Sequence, residues 1–223
     1  MTNMRKAVIT GLVACAVVSV QAQGLKRQGT GAEDIVPQGW THDIEAKGDL
    51  NKDGIADWVV ATKPDFKENM KTRDDGYVYN FNQPILAIYF GTSDGRLQLW
   101  RQYPEVLPVD EDETCSHDIS LEITDRGVLR ITTQLFCSMG GWCNSTNNYS
   151  YRYQNGDFFL IGKDLEESRR NTGEVTLVSE NYLTWKRQVQ KSNFTNDDPP
   201  TEKWSKLQKK PLEKLGSRGI GDE

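Results

Sequence analysis

The segment Asp49-Leu50-Asn51-Lys52-Asp53-Gly54-Ile55-Ala56-Asp57 places oxygen-bearing side chains at positions 1, 3, 5 and 9 of a loop and a glycine at position 6. A hard cation such as Ca²⁺ takes about six to eight oxygens, so the chain must turn sharply to surround it. Asp49, Asn51 and Asp53 would each offer a side-chain oxygen, Ile55 its carbonyl, and Asp57 an oxygen directly or through water. Gly54 permits the turn. The twelfth position is Val60, where a helix–loop–helix calcium hand carries a bidentate glutamate. This loop is therefore not such a hand, and Trp58-Val59-Val60 predicts that a strand leaves it. With no His or Cys in the set, the loop suits zinc and copper poorly. The plainer reading is an Asp- and Asn-rich turn that joins two strands and holds no metal. Clustered carboxylates would repel one another without a cation, which favours Ca²⁺.

Other chemistry is sparser. Asp110-Glu111-Asp112-Glu113, near His117, reads as a second cation site or, more simply, as a solvated acidic loop. His42 and His117 are the two histidines of the chain. No nucleophile elbow, zinc-protease helix or phosphate loop is present. A carboxylate pair for glycoside hydrolysis needs no local spacing, so an exported hydrolase acting on glycans stays as an alternative. Trp142, in the flexible Ser138-Met139-Gly140-Gly141-Trp142 stretch between two cysteines, is the candidate partner contact, because aromatic anchors on braced loops dominate interfaces. Alternating Tyr149, Tyr151 and Tyr153 fit cross-strand packing.

Compartment follows from the first residues. Arg5 and Lys6, the uncharged run from Ala7 to Val20, and Val20-Gln21-Ala22 form a removable secretory signal over residues 1–22. The rival reading makes Cys15 a lipid anchor, although the apolar run continues past it. The run is short for a bilayer span, and no later segment is apolar enough to cross one. The formal net charge of −5 becomes more negative without Arg5 and Lys6. Such a surface argues against nucleic acid and anionic lipid. Export makes a disulfide among Cys115, Cys137 and Cys143 the expectation, with one thiol left over. Cys137–Cys143 is the favoured pairing, with Cys115 near both.

The elements that must position these residues are short strands. Residues 23–36 read as a flexible leader and 37–192 as a β-rich domain carrying the ion loop. Strands are predicted from Trp40 to Ala46, Asp57 to Ala61, Pro84 to Gly91, Arg96 to Tyr103, Ile119 to Ile123 and Val128 to Phe136. Further strands follow around Tyr149 to Tyr153, Phe158 to Gly162, Val175 to Val178 and Tyr182 to Val189. Asp125-Arg126-Gly127 and Asn155-Gly156 are hairpin signals. Runs at about 8–12-residue spacing indicate an all-β domain of antiparallel hairpins, either a sandwich or partial propeller-like sheets. Lys63 to Phe81 reads as a long exposed loop and Asp164 to Arg170 as at most a turn or two of helix. Residues 193–223, rich in charge and carrying Pro199-Pro200, read as a polar, partly disordered or helical tail.

Gly48 to Val60 resembles the ion loop of FG-GAP/VCBS-type repeats, and Ile88-Tyr89-Phe90-Gly91-Thr92-Ser93-Asp94-Gly95 resembles the phrase that follows it there. The match spans about residues 40–100, and the remainder resembles exported bacterial proteins without an assigned activity. The resemblance implies that calcium fastens a hairpin at a blade edge, held by Asp49, Asn51, Asp53, Ile55 and Asp57. One such loop is present, whereas a closed propeller takes at least four blades. The sequence thus leads to an exported, periplasmic or secreted calcium-binding β protein with a non-catalytic role toward a protein or glycan at the cell envelope. The alternatives are the glycan hydrolase above and an inhibitor or immunity-type protein that caps another enzyme.

Overall fold

The computed structural model describes residues 24–221 apart from Asp112 and Gly140; residues 1–22, expected as a secretory signal, and Cys15 among them lie outside the described residues. Nearly all of the regular structure is antiparallel strand. β1 (Gln28–Gly29) and one helical turn, α1 (Ala32–Ile35), precede β2 (Thr41–Gly48) and β3 (Asp57–Lys63). A small hairpin of β4 (Met70–Thr72) and β5 (Val78–Asn80) separates these from β6 (Ile85–Gly91) and β7 (Leu97–Tyr103). Five of these strands form one sheet in the order β1-β7-β6-β3-β2. The rest of the chain runs as β8 (Cys115–Ile123), β9 (Val128–Cys137), β10 (Cys143–Gln154), β11 (Asp157–Arg169), β12 (Glu174–Asn181), β13 (Lys186–Asn193) and β14 (Thr201–Lys206). These seven pair in sequential order as a second sheet. The all-β class and its antiparallel hairpins agree with the expectation.

Two faces of the first sheet are buried, and the sequence of β3 and β6 explains it. Both strands read as continuous apolar runs, which suits a sheet covered on each side. Val59, Ala61, Leu86 and Ile88 point into the core shared with the second sheet, beside Leu129, Ile131, Tyr149, Tyr151, Phe158 and Leu160. Trp58, Val60, Ala87 and Tyr89 point the other way, against Leu25, Ile35, Val36 and Trp40. The second sheet keeps the period-two pattern of a half-buried sheet, as in β8, where apolar Ile119, Leu121 and Ile123 alternate with exposed residues. Asn155 (φ 51) and Gly156 (φ 77) both adopt left-handed backbone at the β10–β11 turn, the conformation that makes Asn-Gly a hairpin signal.

Four segments depart from the sequence reading. Residues 23–36, expected as a flexible leader, instead cap the outer face of the first sheet from Leu25 to Val36, and Ile35 is buried. The reason is the second apolar face of β3 and β6, which needs a cover worth about 1.5–3 kcal/mol per large side chain. Within 63–81, expected as a loop, β4 and β5 pair, and buried Asn82 donates to the Phe66 carbonyl at 3.0 Å and accepts from Asn69 at 3.0 Å. Asp164 to Arg169 forms the second half of β11 rather than a turn of helix, because β10 and β12 flank it through to the end. The polar tail is neither disordered nor helical over its described length. β14 pairs with β13, and beyond it Leu215 and Ile220 are buried in the shared core. Backbone bonds Leu160 N–H to Glu213, Leu215 N–H to Phe158 and Ile220 N–H to Val106 fix that return. The mean composition of 193–223 concealed these few well-spaced apolar residues.

Candidate functional site

The ion-loop candidate joins β2 to β3 and is shaped by its own side chains. Asp49 Oδ1 accepts the backbone N–H groups of Lys52 at 2.6 Å and Asp53 at 3.2 Å, while Oδ2 accepts that of Gly54 at 2.9 Å. Asn51 Oδ1 accepts the Asp53 N–H at 3.0 Å, and Asp53 Oδ1 accepts the Ile55 N–H at 2.8 Å. Each side chain thus folds the backbone two or more residues on, as Asx turns do. Gly54 sits at φ 85 with open space where a Cβ would lie, so backbone conformation rather than room demands glycine there. The carboxylates do not simply face one another. Backbone N–H groups answer them, which weakens the repulsion argument drawn from sequence.

Asp57 behaves differently from its position in the pattern. It is buried, its Oδ2 accepts Leu50 N–H at 2.8 Å and Asn51 N–H at 3.3 Å, and its Oδ1 accepts Gly91 N–H at 2.9 Å. Burial pushes its carboxyl above the ordinary carboxylate range, against the pull of those three N–H groups, and the Asp53 charge adds to the rise. Gly91 comes this close because a Cβ there would lie 2.3 Å from the Ala56 carbonyl oxygen. Asp57 therefore ties the loop to the end of β6.

Among the described residues, no three His, Cys, Asp or Glu side chains form a group that could hold a metal ion. A cation in the loop would draw instead on two carboxylates, Asp49 and Asp53, with the Asn51 amide oxygen and the Ile55 carbonyl. That all-oxygen donor set fits Ca²⁺ in kind, and each carboxylate has lone pairs beyond those its N–H partners use.

In the acidic stretch after Val109, Asp110 and Glu113 have partners of their own. Asp110 Oδ1 accepts the His117 backbone N–H at 2.7 Å and lies 3.1 Å from its Nδ1; Oδ2 is 3.7 Å from Lys63 Nζ. Burial pushes the Asp110 carboxyl up, but the His117 hydrogen bonds and the Lys63 charge outweigh it and hold the group below its usual range. Glu113 pairs with Lys71, and Asp112 lies outside the described residues. His42 Nδ1 lies 3.4 Å from the Trp40 carbonyl oxygen, on β2.

The disulfide joins Cys115 to Cys137, and Cys143 is a free thiol, which corrects the favoured Cys137–Cys143 pairing. Cys115 and Cys137 are direct cross-strand neighbours in β8 and β9, whereas Cys143 opens β10 opposite Arg169. Burial raises the Cys143 thiol, and Glu167 adds to the rise.

Beside the bridge, Trp142 is 65% exposed, as are Met139 at 67% and Phe136 at 43%. Arg170 organises this surface. Its Nη2 donates to the Cys137 and Gly141 carbonyl oxygens at 2.7 Å each, and its backbone N–H donates to the Trp142 carbonyl at 2.8 Å. The guanidinium lies 5.0 Å from the Phe136 ring centre and 6.0 Å from that of Trp142, within cation–π reach. Sequence reading missed Arg170, which lies 33 residues from Cys137 and carries no local signal.

Comparison with family models, with curated proteins and with solved structures found no match. No helix among the described residues is long and apolar enough to cross a membrane.

Proposed function

We propose that this chain is a non-catalytic binding module of the cell envelope, exported by its first 22 residues, stabilised by Ca²⁺ at the β2–β3 loop, and engaging a protein or glycan through Phe136, Met139, Trp142 and Arg170. The observation that carries the reading is the braced apolar surface. Phe136 and Trp142 stand in water on backbone that a disulfide and three hydrogen bonds from Arg170 hold, so less backbone freedom is left to lose on contact. Isolated exposed apolar residues need no explanation, but Phe136 and Trp142, both within cation–π reach of one guanidinium, do. Asp49, Asn51, Asp53 and Ile55 would hold the cation, and its chemistry there is to stiffen the hairpin rather than to react. The FG-GAP/VCBS-like resemblance supports that structural role for the loop. The test is retention of an envelope component on immobilised protein. Trp142→Ala and Arg170→Ala should each lose it while melting within a few degrees of wild type. Equal retention by all three proteins would remove this surface from the account.

A further inference from the structure

β14 closes one edge of the second sheet, and every residue from Thr201 to Lys206 is exposed. Leu207 N–H donates to the Trp185 carbonyl at 2.8 Å, and the register continues as Arg187 opposite Ser205, Val189 opposite Lys203 and Lys191 opposite Thr201. Hydrogen-bonded pairs in an antiparallel ladder recur at every second residue, so the backbone groups of Glu202, Trp204 and Lys206 point away from β13 into open space. The same three side chains share one face of the sheet, where the Trp204 indole N–H donates to Glu202.

We propose that this edge pairs with the β14 edge of a second copy, antiparallel about a two-fold axis through Trp204. That register sets Trp204 opposite its own counterpart and Glu202 opposite Lys206 twice, once on each side of the axis. Opposite charges and aromatic pairs directly across a ladder are the stabilising combinations. The outward groups of Glu202, Trp204 and Lys206 meet as three hydrogen-bonded pairs, about six backbone bonds in all. Other registers fail on charge: an axis through Glu202, Lys203 or Lys206 places like charges face to face, and one through Ser205 forms no opposite-charge pair. Pro200 would be the next outward donor and has no N–H, so the ladder ends there. Lysines on an edge strand ordinarily prevent indiscriminate pairing. Here Lys203 and Lys206 penalise the wrong registers while Lys206 rewards one. An interface of a single strand pair is small, which sets the dimer in the transient, micromolar class.

Sedimentation velocity from about 1 to 200 µM tests this, since micromolar association appears across that range. The protein should shift from monomer to dimer with concentration. Glu202→Lys and Lys206→Glu should each weaken association at least about tenfold, one decade being 1.4 kcal/mol. An equimolar mixture of the two variants should restore it, because each strand then presents one sign to the other. The double variant should also dimerise like wild type. A monomer at the highest concentration, self-association unmoved by either substitution, or failure of the mixture to recover would each overturn the proposal. Binding of foreign extended peptides without self-association would also overturn it.

Discussion

The Asp57 carboxylate and the Gly91 backbone N–H, 34 residues apart in sequence, meet at 2.9 Å, and the bond joins the candidate ion loop to the end of β6. Asp57→Asn keeps the shape but sets an amide N–H₂ against a backbone donor. It should cost about 2–4 kcal/mol, since bonds to a charged group contribute about 1.5–3 kcal/mol each. Gly91→Ala should cost at least as much, because the new methyl group would meet the Ala56 carbonyl. Urea midpoints at constant slope measure both.

Two other carboxylates, Asp110 and Asp157, bear on stability in acid. Burial pushes the Asp157 carboxyl up, but Lys214, the Phe158 N–H and Arg101 outweigh it, so Asp157, like Asp110, is held below its ordinary range. A lowered folded-state value contributes stability that is present above the unfolded value, about pH 4, and lost as pH falls through the folded one. Asp57 is raised and acts in the opposite sense: its contribution is largest below the unfolded value and declines as pH rises through the folded one. Stability should therefore fall below about pH 4. Asp157→Asn should flatten that fall, and urea titrations between about pH 2 and 7 would register it.

Calcium should raise the melting temperature with a midpoint near millimolar, given two carboxylates in the donor set. At a hundredfold excess over the dissociation constant, the gain should reach about 2.7 kcal/mol. Asp49→Ala together with Asp53→Ala should abolish the shift. Identical melting curves with and without the ion, in wild type, would remove Ca²⁺ from the proposed function.

Reduction of the Cys115–Cys137 bridge should destabilise the protein by about 3 kcal/mol, the value for a loop of its 22-residue separation. Cys143→Ser should leave the bridge intact. Thiol counting after denaturation without reductant should find one thiol in the signal-free wild type and none in that variant.

Leu215→Ala should cost about 2–4 kcal/mol, as for other fully buried leucines, although it lies in a region whose composition reads as disordered. An unchanged urea midpoint would contradict the packing of the tail.

The hairpins of the second sheet were legible because their turns carry local chemistry: Asp125-Arg126-Gly127 and Asn155-Gly156 announce where the chain reverses. The continuous apolar character of β3 and β6 was also visible, but its corollary, that Leu25 to Val36 must cover the second face, concerns residues with no periodicity of their own. Asp57 illustrates the limit at the site. Spacing put it in a ligand pattern, but spacing does not tell that it is buried or that one of its three N–H partners is Gly91 on β6. The Asp125–Gly127 turn already set Cys115 near Cys137, but three neighbouring cysteines left the choice of pair open; Arg170 depends on register between strands far apart in sequence.

The late return of Leu215 and Ile220 has a consequence for biogenesis. Translation proceeds from the amino end, so the two sheets lack their last packing partners until the ribosome has passed residue 220. The shared core is therefore completed only once the whole domain has been synthesised, and a chain stopped short of Leu215 would leave its partners in both sheets uncovered.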